Sequence, residues 1–295
     1  MRDIAASRKF IDLIRQASSK WANWDPPIEI KVGDYGRIDS DSGELEVEGN
    51  IYDKAFQTSL DQQGLKINLS DSSYQPKKGA VDDNMIMSSS GVKQGEFSMK
   101  PEVSLLNLAS ASVKAEFQFQ EGKRGAVLVM HKPRQEYIPP GKVLTLVHKA
   151  DELQDKYLVT STFTCPGYYL YLSNKSGERV GLALAASVPI PAAMGVTAGG
   201  EVSVDWWTDA QAAFLRKAFD KAGQYRYTPL YALKYRSNGW FGRRFRGDEE
   251  LHQTEDDLWP DCSPPWQPLD EDGDEDPLWE EVRQALLAPF IDYAS

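Results

Sequence analysis

The chain has 295 residues, of which 41% are hydrophobic, so it holds enough apolar side chains for a sizeable core. This composition excludes a wholly disordered protein. The two cysteines, Cys165 and Cys262, lie far apart in the sequence and do not indicate a secreted disulfide scaffold. Because no apolar leader follows Met1, we expect a protein of the cytosol.

The net charge of −11 hides two regions of opposite sign. Residues 247–295 contain sixteen Asp and Glu residues and one basic residue, Arg283, which gives this tail a net charge of −15. The other 246 residues contain 32 basic and 28 acidic side chains, a net charge of +4. The pattern predicts a weakly basic body that attracts an acidic tail. A disordered tail that only solubilises the protein is the alternative.

The first predicted element is a helix over residues 2–20. Its apolar stripe at helical spacing consists of Ile4, Phe10, Ile11, Leu13 and Ile14. Its other face has a basic bias, carried by Arg2, Arg8, Lys9, Arg15 and Lys20. A helix of this kind either docks on a core or binds a membrane surface, and the pattern alone leaves both open.

The next stretches are predicted to be a hairpin and a loop. Residues 28–52 alternate between apolar and polar side chains around the turn Asp41-Ser42-Gly43, which predicts a β-hairpin. Residues 60–80 are polar and predict a loop. Farther along, we expect a short helix at 142–154, strands at 157–163 and 168–172, a helix at 208–220 and a last strand at 225–236.

Two zones, about 80–120 and 165–206, contain runs that alternate between apolar and polar side chains, strictly so over residues 111–120. They flank a region, 124–163, that contains a strand predicted to be buried on both faces at 126–130. The uncharged residues 181–200 contain Pro189 and Pro191 and several glycines, so they predict a flexible β segment instead of a transmembrane helix. Strands of about ten alternating residues suit a membrane barrel, but an ordinary half-buried sheet has the same pattern.

The composition changes after the last predicted strand. Ser237-Asn238-Gly239 begins a linker that continues into the basic cluster Arg243-Arg244-Phe245-Arg246. The acidic residues 248–276 are predicted to be disordered or loosely draped over the body. From Asp276 and Pro277 onward the pattern predicts a short amphipathic helix, which needs a surface on which to dock.

No set of residues has the spacing of an enzyme site. His131, His148 and His252 lie near no nucleophile motif, and phosphate-binding loops and metal-ligand spacings are missing from the sequence. We therefore expect a protein that is not an enzyme, that holds no cofactor or metal, and that uses His131 and His148 structurally. The thinly spread charge of the body predicts no face for nucleic acid.

Two stretches near the start resemble the opening of fungal gasdermin-like proteins. They are Val32-Gly33-Asp34-Tyr35-Gly36-Arg37-Ile38-Asp39 with Gly43-Glu44-Leu45, and Glu48-Gly49-Asn50-Ile51-Tyr52. The order of elements is also similar, with a helix, a hairpin and two alternating zones around a compact region that contains Tyr157-Leu158-Val159-Thr160. The resemblance covers residues 1–237 and implies an α+β fold of the gasdermin N-terminal type. That fold is a twisted antiparallel sheet with an N-terminal helix and a few peripheral helices, here followed by a short C-terminal helical tail.

Fungal gasdermin-like proteins are cell-death effectors that act in non-self recognition, known as heterokaryon incompatibility. The resemblance implies an autoinhibited precursor that is cytoplasmic until a protease removes its tail. The body would then bind acidic phospholipids of the plasma membrane or another anionic membrane, form a homo-oligomer and insert β-hairpins as a lytic pore, causing a pyroptosis-like programmed cell death. Animal gasdermins carry a large helical inhibitory domain, whereas only about fifty acidic residues follow the body in this chain.

The resemblance also implies a division of the chain and a set of site residues. The body is 1–237, an exposed linker with the cleavage site is 238–250, and the inhibitory segment is 251–295. Lipid would bind at Arg8, Lys9, Arg15 and Lys20. The membrane-inserting positions would be Phe97, Met99, Val113, Phe117, Phe119, Val180, Leu182, Leu184, Val202 and Val204. Cleavage would fall near Phe241, Arg243, Arg244, Phe245 or Arg246, and the inhibitory contacts would be Trp279, Val282, Leu286 and Phe290.

The competing interpretation is a soluble β-sandwich that binds a ligand or a protein partner and carries a solubilising acidic tail. Trp206 and Trp207, or the tyrosines of 225–235, would then line the binding site or simply pack in the core. An enzyme of unknown mechanism is the third interpretation, for which the sequence offers no candidate residues.

Overall fold

The computed structural model of the chain describes residues 4–95, 111–187, 203–210, 214–236 and 255–266. They form an α+β fold with mostly antiparallel sheets and few helices. The helices are α1 (Ile4–Ser18), α2 (Lys54–Gln62), α3 (Val143–Val147) and α4 (Glu255–Leu258), and a 3-10 turn covers Asp151–Leu153.

Fifteen strands are present within the described residues. In chain order they are β1 (Trp21–Ala22), β2 (Asp34–Ile38), β3 (Leu45–Asn50), β4 (Lys77–Val81), β5 (Met85–Ser88), β6 (Val92–Gly95), β7 (Val113–Phe119), β8 (Ala126–His131), β9 (Arg134–Tyr137), β10 (Tyr157–Cys165), β11 (Gly167–Leu172), β12 (Arg179–Ser187), β13 (Ser203–Thr208), β14 (Phe214–Phe219) and β15 (Tyr227–Tyr235).

These strands form three sheets. Sheet A has the order β1-β15-β10-β2-β3, and β9 also pairs with β10 and in turn carries β4. Sheet B has the order β14-β11-β8-β5, and sheet C has the order β13-β12-β7-β6. In sheet C, β6 pairs with β7 and β12 pairs with β13, so two antiparallel hairpins lie side by side, joined by the β7–β12 pair.

Sheet B is the middle layer, and both of its faces are covered. Alternate residues of β8 and β11 face opposite ways, as the two-residue period of a strand requires. Leu128 and Leu170 lie in a core cluster with α1 and residues of sheet A. Val129 and Tyr169 lie in a second cluster with β7 and β12 of sheet C. All six residues of β8 are therefore buried, which confirms the strand predicted to be buried on both faces.

The stretches at 32–39 and 48–52 form most of the β2–β3 hairpin and stabilise each other. The side-chain amide of Asn50 donates to the Asp34 carboxylate over 2.8 Å and to the carbonyl oxygen of Val32 over 3.0 Å. Gly33 has a φ of +88°, which favours glycine, and a Cβ on Gly36 would lie 1.9 Å from the carbonyl oxygen of Glu46. The residue types of these stretches therefore have a structural cause, which is close packing between two neighbouring strands.

Several elements predicted from the sequence are confirmed, and three predictions are wrong in whole or in part. The N-terminal helix, the short helix at α3 and the strands β7, β8, β10, β11 and β15 lie where the patterns place them. The loop expected at 60–80 is found at 63–76, but the end of α2 and the first four residues of β4 occupy its two ends. The hairpin begins at residue 34 and not at 28, because the backbone of residues 25–34 bonds locally, as in the 2.8 Å contact from Ile28 N to Asp25 O.

The predicted helix at 208–220 is the third error. Phe214–Phe219 is the edge strand β14, and its residues pair with β11 from Phe214↔Leu172 to Phe219↔Gly167. Its apolar residues suit a helix as well as an edge strand, so the sequence pattern does not decide between them. The open edge of β11 does decide, because pairing there gives the backbone of this stretch its hydrogen bonds.

Candidate functional site

Part of the acidic tail is docked on the body. Residues 255–266, here called the tail segment, consist of α4 and an extended stretch. The segment buries two pairs of side chains: Leu258 with Trp259, which we call the first anchor, and Cys262 with Trp266, which we call the second anchor. Residues 248–276 were expected to be disordered or loosely draped over the body. This expectation is wrong for residues 255–266, because their apolar side chains pack in two separate core clusters.

The first anchor lies against α3. The Trp259 side chain is 0% exposed, and its indole N–H donates to the carbonyl oxygen of Leu144 over 2.7 Å. The His148 ring meets the indole nearly at a right angle, with the ring centroids 6.0 Å apart. Leu144 and Val147 of α3 and Leu60 of α2 belong to the same cluster. The indole N–H of Trp259 thus has a hydrogen-bond acceptor inside an apolar cluster.

Between the anchors, the tail segment covers the outer edge of β15. The strand β1 pairs with β15 at Leu230 and Tyr231, and the tail segment continues along the same strand. Asp261 forms an antiparallel bridge with Lys234, and the backbone N–H of Tyr235 donates to the carbonyl oxygen of Pro260 over 3.1 Å. An uncovered strand edge is a template for pairing with another chain, so this contact protects the edge.

The second anchor lies beside α1. The Arg15 guanidinium donates to the carbonyl oxygen of Cys262 and also lies over the Trp21 ring, 5.4 Å from its centroid. Trp266 packs edge-on against Trp21 with a centroid separation of 5.9 Å. A cleft of about 290 Å³ remains here between the body and the tail segment, lined by Arg15, Gln16, Ser19, Trp21, Leu233, Asp261 and Cys262.

The two cysteines are free thiols in apolar surroundings. Burial raises the pKa of Cys165 to about 12. Burial also raises the pKa of Cys262, with a further contribution from the Asp261 carboxylate. Since the thiolate is the reactive form, both thiols are held unreactive in this state. Cys262 is protected by the docking of the tail segment, whereas Cys165 is protected by its place in sheet A.

The four basic residues expected to bind lipid all lie on or just after α1, and all are half-buried. Arg15 is occupied by the tail segment. Arg8 donates to the carbonyl oxygen of Ser40 over 3.2 Å, and the Lys20 ammonium lies 5.8 Å from the centre of the Phe163 ring. Lys9 lies on the same helix. Arg15 is thus in direct contact with the tail segment.

Six of the ten positions expected to insert into a membrane lie in the core between sheets B and C. Val113, Phe117 and Phe119 of β7 and Val180, Leu182 and Leu184 of β12 are all buried in this cluster. Val204 lies in β13, opposite Ala186 of β12. Phe97, Met99 and Val202 lie outside the described residues. So do the cleavage candidates Phe241, Arg243, Arg244, Phe245 and Arg246 and the inhibitory contacts Trp279, Val282, Leu286 and Phe290.

Among the described residues, no helix is long and apolar enough to span a membrane. The same residues contain no cluster of three His, Cys, Asp or Glu side chains that fits a metal ion.

Sequence reasoning missed the anchors of the tail segment. The acidic composition of residues 248–276 predicts disorder, and it outweighs the apolar pair Leu258-Trp259 and the isolated Cys262 and Trp266. The available signal was large aromatic residues in a stretch otherwise depleted of apolar side chains, because such residues are rare in chains that stay disordered.

Comparison of the chain with protein-family models, with curated proteins and with solved structures found no match.

Proposed function

We propose that this chain is the inactive precursor of a membrane pore, restrained by its own acidic tail in the manner of gasdermin-like proteins. One observation carries the proposal: the tail segment is docked on Arg15 of the basic helix α1 and on the edge of β15. A tail that only solubilised the protein would not need Trp259 buried at 0% exposure or Trp266 packed on Trp21. The docked tail segment therefore supports a restraining role over a solubilising one.

The docked tail segment and an anionic membrane would compete for Arg15. A phosphate group is a stronger partner for a guanidinium than the neutral carbonyl oxygen of Cys262, because a phosphate is itself charged and can accept two parallel N–H bonds. Each Lys or Arg held near an anionic bilayer contributes roughly 1 kcal/mol. Cleavage in 238–250 would also separate the tail, with its net charge of −15, from the body. Proteolysis and lipid binding would thus act in the same direction.

The arrangement of sheet C supports the insertion step of the proposal. Its two hairpins are adjacent, and each presents an apolar face made of β7 or β12 side chains. The chain between the paired strands is long, since Gly95 pairs with Glu116 and Ser187 pairs with Ser203. Opening the contact with sheet B would expose this apolar face, and hydrocarbon would accept it at much lower cost than water.

In this proposal the protein performs no catalysis and needs no cofactor. Its partners are an activating protease, a membrane with acidic phospholipids and further copies of itself in the pore, and it has no nucleic-acid partner. The inactive form would be cytoplasmic, and the cleaved body would move to the plasma membrane or another anionic membrane and cause lytic cell death.

The proposal is tested by dye release from liposomes. A specific protease recognition sequence is inserted after Arg246 of the full chain, and the chain is cut in the presence of vesicles containing phosphatidylserine or cardiolipin. We expect release only after cutting and only from anionic vesicles, compared with phosphatidylcholine vesicles. A scrambled recognition sequence is the matched control. Equal release by cut and uncut chains would exclude restraint by the tail.

Trp259→Ala in the same cuttable chain tests the docking contacts directly. The anchors hold the tail segment by noncovalent contacts, so a fraction of the cut tail should stay bound to the body. Trp259→Ala should lower this bound fraction and increase dye release by the cut chain. If the cut chain released no dye either with or without Trp259→Ala, pore formation would be excluded.

A soluble binding module remains the second candidate function, because one observation favours it. Sheets B and C pack face to face through a buried cluster. A hydrogen bond of 3.0 Å from the Trp206 indole N–H to the carbonyl oxygen of Ala218 also joins them. This is the architecture of an ordinary sandwich. The liposome experiment separates the candidates, since a binding module stays silent after cutting.

A further inference from the structure

His148 lies at the point where the tail segment is attached to α3. It follows the last residue of α3, and its backbone N–H donates to the carbonyl oxygen of Leu144 over 3.1 Å. That same oxygen accepts the indole N–H of Trp259. The imidazole ring rests against the Trp259 ring, and its Nδ1 atom is buried without a hydrogen-bond partner among the described residues. His148 is therefore shielded from water in part by the first anchor.

Two cations, Arg236 and Lys149, act on the His148 ring. Arg236 follows the end of β15, where its guanidinium donates to the carbonyl oxygen of Ala150 over 2.6 Å, and Lys149 is the next residue along the chain. The tail element packed against α3 is α4, whose acidic residues are Glu255, Asp256 and Asp257. Burial, followed by the positive charges of Arg236 and Lys149, lowers the pKa of His148 below its ordinary value.

Release of the tail segment is coupled to protonation of His148. When the tail segment leaves, water reaches His148 and the cost of burying its charge falls, so the released state takes up a proton more readily than the docked state. The state that binds more protons gains as the pH falls. Docking is therefore strongest above the ordinary histidine pKa of about 6.5 and weakens as the pH falls through and below that value.

We propose that His148 makes the docking of the tail segment sensitive to pH, so that the first anchor holds while the imidazole is neutral and loosens when it is protonated. A protonated ring would place an additional N–H donor at the buried Nδ1 position, beside Arg236 and against the Trp259 indole. Mild acidification then acts on the same contact as tail removal. Its consequence for pore formation rests on the proposed function, whereas the docking equilibrium does not.

The first test is amide hydrogen exchange of the full chain at pH 7.5 and pH 5.5, corrected for intrinsic exchange rates. We expect the protection of residues 255–266 to fall at pH 5.5, and we expect His148→Gln, which cannot be protonated, to remove this fall. His131→Gln is the matched control, since the pKa of His131 is also lowered by burial but His131 lies in β8, where it contacts Asn84. His252→Gln distinguishes the effect of protonating His252, which precedes the tail segment, from the effect of protonating His148.

The second test is an NMR titration of the histidine rings in the full chain and in Trp259→Ala. The resonance of His148 should titrate at a lower pH in the full chain than in Trp259→Ala, where the tail segment is released. An unchanged His148 titration, or a pH response of residues 255–266 that persists in His148→Gln, would overturn the inference.

Both readouts are independent of the membrane. A docking response to pH that is lost in His148→Gln, together with no dye release from any cut chain, would retain this inference and reject the proposed pore. Dye release by the cut chain with no docking response to pH would do the reverse.

Discussion

Sheet C and the tail segment both bury aromatic side chains completely, yet they are held in different ways. Phe117 of β7 is 1% exposed and Trp259 of the tail segment is 0% exposed. The strand that carries Phe117 is paired on both sides, with β6 and with β12. The tail segment meets the body through the Lys234↔Asp261 bridge and a few hydrogen bonds from Tyr235, Arg15 and the Trp259 indole.

Complete burial of a side chain therefore does not mean that its segment unfolds only together with the rest of the protein. Removing β7 would break two ladders and open the cluster between sheets B and C, so β7 belongs to the global folding unit. Releasing the tail segment breaks few backbone bonds and leaves the strand pairs of sheet A in place, so it is able to open locally. Proteins open in such units with free energies well below that of global unfolding. A restraining segment needs both properties, tight side-chain contacts and a weak backbone connection.

The largest effect is expected in sheet C. Phe117→Ala leaves a cavity between sheets B and C and should lower the free energy of unfolding by about 3–5 kcal/mol. Urea denaturation of the full chain measures this value. Val47→Ala is the control, because Val47 is 46% exposed and its truncation should change stability by less than about 0.5 kcal/mol. If Phe117→Ala released the tail segment without lowering global stability, the comparison would be wrong.

A second, local effect is expected at the first anchor. Trp259→Ala should weaken docking by about 3 kcal/mol, which is about a 100-fold increase in the open fraction, and leave the urea midpoint of the body nearly unchanged. The measurement is alkylation of Cys262 at pH 8, with Cys165 as an internal control that stays unlabelled. Ser263→Ala, on the exposed side of the same segment, should label Cys262 no faster than the unaltered chain does. Equal labelling of both cysteines in Trp259→Ala would instead indicate global unfolding.

The smallest effect is expected at the second anchor. Arg15→Gln removes the cationic donor to the Cys262 carbonyl, and we expect a loss of about 1 kcal/mol in docking, because the side chain is partly exposed to solvent. Arg15→Lys keeps the charge and loses the planar stacking on Trp21, so it should fall between Arg15→Gln and the unaltered chain. Labelling of Cys262 again reports the opening. Arg226→Gln, an arginine paired with Asp220, is the control and should have no effect.

Much of the fold follows from local patterns, and the exceptions have identifiable causes. The ten alternating residues around Phe117 predict β7 because one face of the strand is apolar throughout. The same reasoning fails at Phe214–Phe219, where the apolar spacing fits both a helix and a strand and the open edge of β11 selects the strand. It fails at α2 because Phe56 and Leu60 are the only two buried side chains in an otherwise polar helix.

The candidate site was predictable in its parts but not in its assembly. The opposite charges of body and tail are evident from the sequence, and so is the basic face of α1. The contacts that join them depend on Trp259 and Cys262, which are more than 100 residues from Leu144 and more than 200 from Arg15, respectively. No local pattern encodes contacts over such separations.

Side-chain periodicity and charge are local properties, so the sequence shows which segments can bury an apolar face and which regions carry opposite charge. That the alternating faces of β7 and β12 close on sheet B, and that the tail segment lies on the edge of β15, is seen only in the folded chain. An apolar face needs cover from water, and an open strand edge needs hydrogen-bond partners. Which part of the chain supplies that cover depends on the whole fold.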